Sequence, residues 1–304
     1  MDAYGGPEVL VLRDAPDPMA GPGEIVVDIH AASINPADWK VREGLRRDDV
    51  KAVFPHVLGR DFSGVVRAVG EDVADFAPGD AVFAVTDRGQ EGAYAEAIAI
   101  KAALAARKPE SVSHAEAAAL ALTGLTALVC LEDAADLRAD ETLLIHGAAG
   151  GVGSFAVQYA RHVGARVLAT ASARNHDYLR GLGADEVIDY TQQDFTEAAS
   201  DCDAVLDTIG GEVHRRSFSV LRPGGLLIHI APPPPGFTPP RDDVTVVRPL
   251  VARDRAHLER IVELVETGAV RPPEIERLPL AEAAAAQELS RTGHVRGKIV
   301  LEVR

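Results

Sequence analysis

The chain has 304 residues, of which 47% are hydrophobic and 25% charged, and its formal net charge is −15. This length and composition are typical of a globular protein with two domains, each with a sizeable core. The strong negative charge argues against nucleic acid or an anionic membrane as the main partner.

The sequence shows no sign of targeting, and none of an oxidising compartment. No membrane-spanning segment is predicted, because the apolar stretches look too short. The N-terminal residues lack the basic and apolar regions of a signal peptide. Cys130 and Cys202 lie far apart without metal-ligand spacing, which predicts buried free thiols. A reducing, cytoplasmic location is therefore expected.

The first part of the chain is β-rich. An apolar-rich segment at 8–13 precedes a turn-rich loop, and the alternating pattern of 24–32 predicts a strand. An irregular polar stretch at 32–40 then leads into a short helix. Short β-branched runs separated by glycine and proline continue to residue 83, and they predict a small, curved barrel.

From residue 113 onward, helices dominate and then alternate with strands. Ser113-His114-Ala115-Glu116 has the form of a capping box and predicts a helix over 114–122, interrupted at Thr123-Gly124 and resumed to 131. The alternation that follows predicts a doubly wound parallel sheet. Its six strands are expected at 142–146, 166–171, 186–189, 204–208, 226–231 and 245–251.

The C-terminal segment does not continue the alternation of strands and helices. A helix is predicted at 257–267, a strand at 274–280, a helix at 281–290 and a strand at 298–303. This segment is expected to return to the first domain. The predicted boundaries are therefore 1–112 with 252–304 for one domain, and 113–251 for the dinucleotide-binding domain.

A glycine cluster at residues 147–153 lies between a buried strand and an amphipathic helix. Such a turn lets the backbone approach a pyrophosphate, while the N–H groups and dipole of the helix N-terminus hold the anion. Gly150, Gly151 and Val152 are predicted to line the pyrophosphate. The alternative is a glycine-rich turn that merely packs closely.

The second strand of this domain predicts which nucleotide binds. It ends with Ala171-Ser172-Ala173-Arg174 and has no carboxylate to grip a ribose 2′-hydroxyl, whereas a serine and an arginine suit a 2′-phosphate. NADP(H) is therefore favoured, with Ser172, Arg174 and Tyr190 around the phosphate. A solvated Arg174 and a Tyr190 used only for packing are the alternatives. The remaining contacts are expected where the fourth and fifth strands end, at Thr208, Ile209, Ile230 and Ala231.

Several motifs together resemble the medium-chain dehydrogenase/reductase superfamily, in its zinc-independent, zeta-crystallin-like quinone oxidoreductase branch. They are Tyr4-Gly5-Gly6-Pro7, Asn35-Pro36-Ala37-Asp38-Trp39-Lys40, Gly59-Arg60-Asp61-Phe62-Ser63-Gly64, the glycine cluster, Gly183-Ala184-Asp185 and Gly297-Lys298-Ile299-Val300. The resemblance implies a GroES-like β-barrel domain interrupted by a Rossmann domain, with the cofactor in the cleft between them. Family members usually have a few more residues before the Tyr-Gly-Gly.

The resemblance also implies a protein without zinc. The zinc-dependent branch would have a cysteine in place of Asn35, Gly-His-Glu in place of 59–61, and a four-cysteine lobe after the strand near residue 83. This sequence has none of these ligands, and zinc needs three or four converging Cys, His or carboxylate groups.

The same resemblance suggests roles for individual side chains. Asn35 would lie beside the nicotinamide and the acceptor, Lys40 would bind the ribose, the carboxamide or the acceptor oxygen, and Thr123 would contact the nicotinamide end. Lys298 could point into the cleft. The alternatives are a loop-capping amide for Asn35, solvated lysines for Lys40 and Lys298, and for Thr123 a hydroxyl bonded within its own helix.

Three functions fit this pattern. The first is hydride transfer from NADPH to a small-molecule quinone or other conjugated carbonyl, which needs only a positioned donor and a proton. The second is an enoyl-thioester or enone reductase of a biosynthetic pathway, and the third is a non-catalytic NADPH-binding protein. A homodimer is expected through the sixth strand, which should lie at the sheet edge.

Overall fold

The computed structural model describes residues 1–48, 50–90 and 92–304. Contacts divide the chain into two compact units. The first contains Met1–Leu122, Arg253–Gly268 and Pro272–Arg304, and the second contains Thr123–Ala252 and Ala269–Arg271. The boundaries placed at 112 and 252 from the sequence stay predictions.

The strands are numbered in chain order. They are β1 (Glu24–Ser33), β2 (Asp61–Val69), β3 (Ala81–Val85), β4 (Ala97–Lys101), β5 (Ala105–Arg107), β6 (Thr142–His146), β7 (Arg166–Ala171), β8 (Glu186–Asp189), β9 (Cys202–Asp207), β10 (Leu221–His229), β11 (Thr245–Val247), β12 (Ile275–Pro279) and β13 (Lys298–Glu302).

The α-helices are numbered in the same way. They are α1 (Pro36–Arg42), α2 (His114–Leu128), α3 (Gly151–Val163), α4 (His176–Leu182), α5 (Phe195–Ala198), α6 (Gly211–Ser217), α7 (Arg255–Glu266) and α8 (Ala283–Arg291).

The sheet of the first unit is organised around β1. This strand pairs antiparallel with β2, β4 and β13, and the path through the sheet is β12-β13-β1-β2-β3-β5. Register shifts interrupt the β1–β2 ladder, as expected where a sheet curves. Because β13 comes from the C-terminus and pairs with β1, the prediction of a returning tail is confirmed.

The second unit contains the predicted doubly wound sheet. All five strand pairings are parallel, and the order is β11-β10-β9-β6-β7-β8. The order reverses between β6 and β9, which are neighbours in the sheet. In such sheets ligands bind beyond the carboxyl ends of the strands at this reversal.

The predicted break at Thr123-Gly124 is wrong. Helix α2 runs through both residues, and a π-helical turn, Val129–Ala134, extends it. Thr123, Gly124 and Leu125 are buried, so packing offsets the helix cost of one glycine, about 1 kcal/mol. The resulting helix, His114–Ala134, has 21 residues and a mean hydropathy of 1.6, which by length and composition could cross a membrane. The sequence interpretation missed this length, but 83% of the apolar window is buried, as in a core helix.

Two apolar-rich segments form less strand than their composition favours. The segment at 8–13 overlaps a 3-10 turn, Pro7–Val9, because Pro7 fixes a helical φ at the first position of that turn. The sixth strand of the parallel sheet has only three residues and ends before Pro249, which cannot donate a ladder hydrogen bond. Its predicted position at the sheet edge is confirmed.

Candidate functional site

The predicted cofactor residues of the second unit lie along one edge of its sheet. The register places His146 opposite both Thr170 and Asp207, Ala171 opposite Asp189, and His229 opposite Asp207. The strands therefore end together, and the predicted residues follow these ends. They are Gly150, Gly151 and Val152 after β6, Ser172 and Arg174 after β7, Tyr190 after β8, Thr208 and Ile209 after β9, and Ile230 and Ala231 after β10.

The turn after β6 has the geometry of an anion cradle. Gly150 is the N-cap of α3, so the first backbone N–H groups of this 13-residue helix have no acceptor within the helix. A Cβ at position 153 would lie 2.5 Å from the Ala148 Cα and 2.5 Å from the Gly147 oxygen, so only glycine lets the helix pack against the turn. This arrangement fits a pyrophosphate.

Asp207 organises the neighbouring turn after β9. Its Oδ1 accepts hydrogen bonds from the N–H groups of Ile209 and Gly210 at 2.9 and 2.8 Å. The Thr208 hydroxyl donates to the His146 carbonyl at 2.8 Å, which joins the β9 turn to the glycine turn. Ile209 remains 55% exposed, so its side chain is available to a ligand.

His146 is a core residue. It is 1% exposed, its Nδ1 lies 3.1 Å from the Thr170 hydroxyl and its Nε2 lies 3.2 Å from the Ser217 hydroxyl. Burial lowers the pKa of His146 to about 4, so the imidazole is neutral near pH 7. His146 is therefore a buried histidine whose two ring nitrogens both have a hydrogen-bond partner.

The residues predicted to surround the 2′-phosphate follow the ends of two paired strands, β7 and β8. Ser172 is half-buried, Arg174 is exposed, and Tyr190 is 51% exposed on the adjacent strand end. The carboxylate of Asp189, at the end of β8, accepts hydrogen bonds from the N–H and hydroxyl of Thr191. These bonds lower the pKa of Asp189, and they pair its carboxylate with the neighbouring Thr191.

In the first unit, Asn35 is the centre of a buried polar cluster. It is the N-cap of α1, and its N–H donates to the Asp38 Oδ2 at 2.7 Å, so Asp38 caps the start of this helix. Its Nδ2 donates to the Asp61 Oδ1 at 2.6 Å, and its Oδ1 accepts from the Lys298 Nζ at 2.8 Å. Asn35 is thus more than a loop-capping amide, because its side chain bridges a carboxylate and an ammonium group.

The carboxylates of this cluster are completely buried. Asp61 also accepts from the Ser33 hydroxyl at 2.6 Å and from the Leu122 N–H at 3.4 Å. Burial raises the pKa of Asp61, and the charge of Lys298 opposes that effect. Burial likewise lowers the pKa of Lys298, which Asp61 opposes. Each charge therefore stabilises the other across the Asn35 amide.

Asp38 has a comparable environment. Its Oδ2 accepts from the Tyr94 hydroxyl at 2.7 Å, and its Oδ1 lies 3.7 Å from the Arg60 Nε. Burial raises the pKa of Asp38, while Arg60 acts in the opposite direction. Burial also raises the pKa of Tyr94 well above its ordinary value, so the phenol stays protonated and donates to Asp38. Two acidic side chains, Asp38 and Asp61, thus lie beside two basic ones, Arg60 and Lys298, which is the pairing that buried ionisable groups need.

The other three side chains that were predicted near the nicotinamide, Lys298, Lys40 and Thr123, differ in burial. Lys298 is 5% exposed and also donates to the Ile34 carbonyl at 2.5 Å, so the alternative of a surface lysine is wrong. Lys40 is half-buried on α1, with its Nζ 5.2 Å from the Trp39 ring centroid, and burial lowers its pKa. Thr123 is 5% exposed within α2. Direct contacts of all three with the cofactor stay predictions.

Both cysteines are buried, and the possible metal ligands of the described residues do not cluster. Cys130 and Cys202 are buried free thiols, as predicted, and burial raises their pKa values to about 12 and about 11. Within residues 1–48, 50–90 and 92–304, no group of three or more His, Cys, Asp or Glu side chains could hold a metal ion.

Sequence reasoning missed three parts of this site. Tyr94 comes from a loop with no recognisable motif, and its partner Asp38 is 56 residues away. Gly153 lies within the predicted glycine cluster, but the sequence does not distinguish it from the other glycines, although the helix and the turn approach most closely at this residue. Asp207 could have been found, because an acidic residue before Thr208-Ile209-Gly210 is a typical turn-capping pattern.

A doubly wound sheet with a dinucleotide turn, in one chain with a GroES-like sheet, defines a nicotinamide-dependent oxidoreductase. Residues 21–110 match the alcohol dehydrogenase GroES-like domain family, and residues 182–301 match the zinc-binding dehydrogenase family. The chloroplast envelope quinone oxidoreductase homolog of Arabidopsis thaliana is 35% identical over 99% of this chain and 96% of its own length. The chain belongs to the medium-chain dehydrogenase/reductase superfamily, in its quinone oxidoreductase-like branch.

Solved structures agree with this assignment. An NAD-dependent alcohol dehydrogenase is 33% identical with a TM-score of 0.92, covering 100% of this chain and 98% of its own. The Escherichia coli quinone oxidoreductase complexed with NADPH is 28% identical with a TM-score of 0.85, covering 99% and 98%. The CurK enoyl reductase is 27% identical with a TM-score of 0.88, covering 99% and 97%. The chain is therefore an NAD(P)H oxidoreductase.

Proposed function

We propose that this protein is a zinc-independent reductase that uses NADPH to reduce a quinone or another conjugated carbonyl acceptor. The observation that carries the proposal is the end of β7, where Ser172 and Arg174 offer a hydroxyl and a guanidinium and no carboxylate follows the strand. A guanidinium binds a phosphate with charge-assisted hydrogen bonds, which a 2′-hydroxyl cannot match. The similarity to quinone oxidoreductases supports the choice of acceptor.

Each part of the chain then has a defined task. The N–H groups at the start of α3 hold the pyrophosphate, and Ser172, Arg174 and Tyr190 select the 2′-phosphate. When bound, the cofactor supplies a hydride at carbon. Asn35 orients the nicotinamide end, and Lys40 is the cation of α1 that can bind the ribose, the carboxamide or the acceptor oxygen. No acid–base triad is needed, since a conjugated carbonyl accepts hydride at carbon and takes its proton separately.

The second candidate function is the reduction of an enoyl thioester or enone. The similarity to the CurK enoyl reductase and to the 2-methylene-furan-3-one reductase of Solanum lycopersicum favours it. The latter is 34% identical over 98% of this chain and 76% of its own length. The first candidate is preferred because the chloroplast envelope quinone oxidoreductase homolog of Arabidopsis thaliana is similar over 99% of this chain and 96% of its own length.

The test is a panel of acceptors under identical conditions. NADPH oxidation is measured with p-benzoquinone and naphthoquinones, with simple enones, and with crotonyl-CoA. A kcat/KM for the quinones about tenfold or more above that for crotonyl-CoA supports the proposal. The reverse ratio supports the second candidate, and NADPH binding without turnover of any acceptor supports a non-catalytic protein.

A further inference from the structure

The loop that follows β10 is tied to the second unit at both of its ends. At its start, the Pro232 carbonyl accepts a hydrogen bond from the Gly211 N–H at 3.0 Å. At its end, the Arg241 guanidinium donates to the Phe218 carbonyl at 2.8 Å. The middle of the loop, residues 233–240, is rich in proline, which cannot donate a backbone hydrogen bond. This middle segment is therefore expected to depend on side-chain packing.

Phe237 packs the middle of the 233–240 loop against the rest of the unit. It is half-buried against the apolar core. Its ring lies edge to face with the His214 ring, with centroids 5.1 Å apart at 85°, and its centroid is 5.6 Å from that of Phe218. The His229 ring also contacts His214, with centroids 4.7 Å apart at 70°. These four rings form one group, called the aromatic cluster below.

Both histidines of the aromatic cluster carry a proton on Nδ1. The His214 Nδ1 lies 3.2 Å from the Asp207 Oδ2, and the His229 Nδ1 lies 2.8 Å from the Ala231 carbonyl oxygen. A carboxylate and a carbonyl accept hydrogen bonds, so each Nδ1 is the donor. An added proton therefore goes to an Nε2. His214 is 1% exposed, so its imidazolium would be buried among aromatic rings and beside a second imidazole.

The environment of His214 opposes this added proton. Burial and the neighbouring His229 of β10 lower the pKa of His214, whereas Asp207 of β9 acts in the opposite direction. His146 of β6, which also interacts with the Asp207 charge, is neutral near pH 7. The other charges of α6 and of the loop end form partly exposed ion pairs, which are Arg215 with Glu212, Arg216 with Asp194 and Arg241 with Asp243.

We propose that His214 makes the 233–240 loop acid-sensitive: the loop is closed while the His214 ring is neutral, and a proton on the His214 Nε2 releases Phe237 from the aromatic cluster. The closed arrangement disfavours the protonated ring, so by linkage the protonated ring disfavours the closed arrangement by the same free energy.

The sign of the effect follows from the lowered pKa of His214. Closure is fully favoured above the ordinary value of 6.5 and is weakened as pH falls below it. The loop follows β10 at the carboxyl edge of the sheet, where ligands bind in doubly wound sheets. Acid therefore loosens one border of this edge. The inference holds whichever cofactor and acceptor the protein uses.

The test is limited proteolysis of the whole chain by thermolysin, which cleaves before bulky apolar residues and so at Gly236–Phe237. Cleavage of a loop that opens transiently proceeds in proportion to its open population. The rate of this cut, identified from the fragment masses, is divided by the rate for a free peptide of residues 233–240 at the same pH. This normalised rate should rise at least about fivefold from pH 8 to pH 5 in wild type.

His214→Asn is the main variant. Its amide N–H can still donate to Asp207, but the side chain does not titrate, so the normalised rate should be equal at pH 8 and pH 5, whatever its absolute value. His214→Gln is a second variant that does not titrate, and the same result is expected from it. The matched control is His162→Asn, which makes the same substitution at an exposed histidine of α3 and should keep the wild-type response.

Four results would overturn the proposal. An unchanged wild-type rate would show that acid does not open the loop. A rate that falls at pH 5 would show that a charged His214 holds Phe237 by cation–π attraction. A rise that persists in both His214 variants would assign the response to another group. A parallel rise at cleavage sites elsewhere in the second unit would show unfolding of the unit in place of local release.

Discussion

Replacing Gly153 by alanine should destabilise the second unit without removing a ligand contact. The new Cβ would lie 2.5 Å from the Ala148 Cα and 2.5 Å from the Gly147 oxygen, and these backbone atoms cannot rotate away. Such overpacking costs about 3 kcal/mol, and the better helix propensity of alanine returns about 1 kcal/mol. The net loss of about 2 kcal/mol corresponds to a fall in Tm of about 4–8 °C.

Gly150→Ala is the matched substitution in the same turn. Gly150 has φ −78° and ψ 176°, which alanine adopts without strain, and its Cβ would be 3.4 Å from the nearest atom outside the adjacent residues, the Gly147 oxygen. Its Tm should therefore change by less than about 2 °C. The methyl group would lie beside the N–H groups that are proposed to bind the pyrophosphate, so NADPH binding should weaken about tenfold or more. An unchanged Tm for G153A, or an unchanged NADPH Kd for G150A, would refute this division between a packing glycine and a ligand-binding glycine.

Three further predictions concern selectivity, pH and assembly. Arg174→Asp should weaken NADPH binding by about 1.5–3 kcal/mol and reduce the difference in affinity between NADPH and NADH. Equal affinities of wild type for the two nucleotides would contradict the proposed cofactor. Because the pKa of His146 is lowered to about 4 in the folded state, its neutral form contributes stability that is present above its ordinary pKa of 6.5 and lost as pH falls. Between about pH 8 and pH 5 wild type should lose about 2 kcal/mol more than His146→Gln in denaturant titrations, and identical pH profiles would refute this. If the chain dimerises beside β11, Leu250→Asp should yield monomers that still bind NADPH, because the Leu250 side chain is 74% exposed close to this strand. Sedimentation of wild type as a monomer would contradict the predicted dimer.

Features set by neighbouring residues could be predicted from the sequence. Ser113 and Glu116 form the expected capping box. The Ser113 N–H and hydroxyl each donate to the Glu116 Oε2 at 2.7 Å, and the Glu116 N–H donates to the Ser113 Oγ at 3.3 Å. The first three strands of the parallel sheet have the predicted bounds, since each has β-branched or aliphatic residues at its centre, such as Leu143–Ile145 in β6 and Val187 and Ile188 in β8. Local pattern decides these elements.

Features set by distant partners could not be predicted. Lys298 resembles a surface lysine in its own segment, and its burial depends on Asn35, which is 263 residues away. The continuity of α2 through Gly124 likewise depends on packing around the helix, which outweighs a local propensity that favours a break. The resemblance therefore indicated Asn35 as a site residue, but the sequence could not show that its side chain bridges Asp61 and Lys298.

The most direct test of zinc-independent hydride transfer is the activity of the protein after all metal has been removed. The protein is dialysed against a strong chelator, its zinc content is measured by elemental analysis, and NADPH oxidation is followed with p-benzoquinone. We expect full activity with far less than one zinc per chain and one NADPH consumed for each quinone reduced. Activity that disappears with the metal and returns on addition of one equivalent of zinc would contradict the proposed zinc-independent hydride transfer.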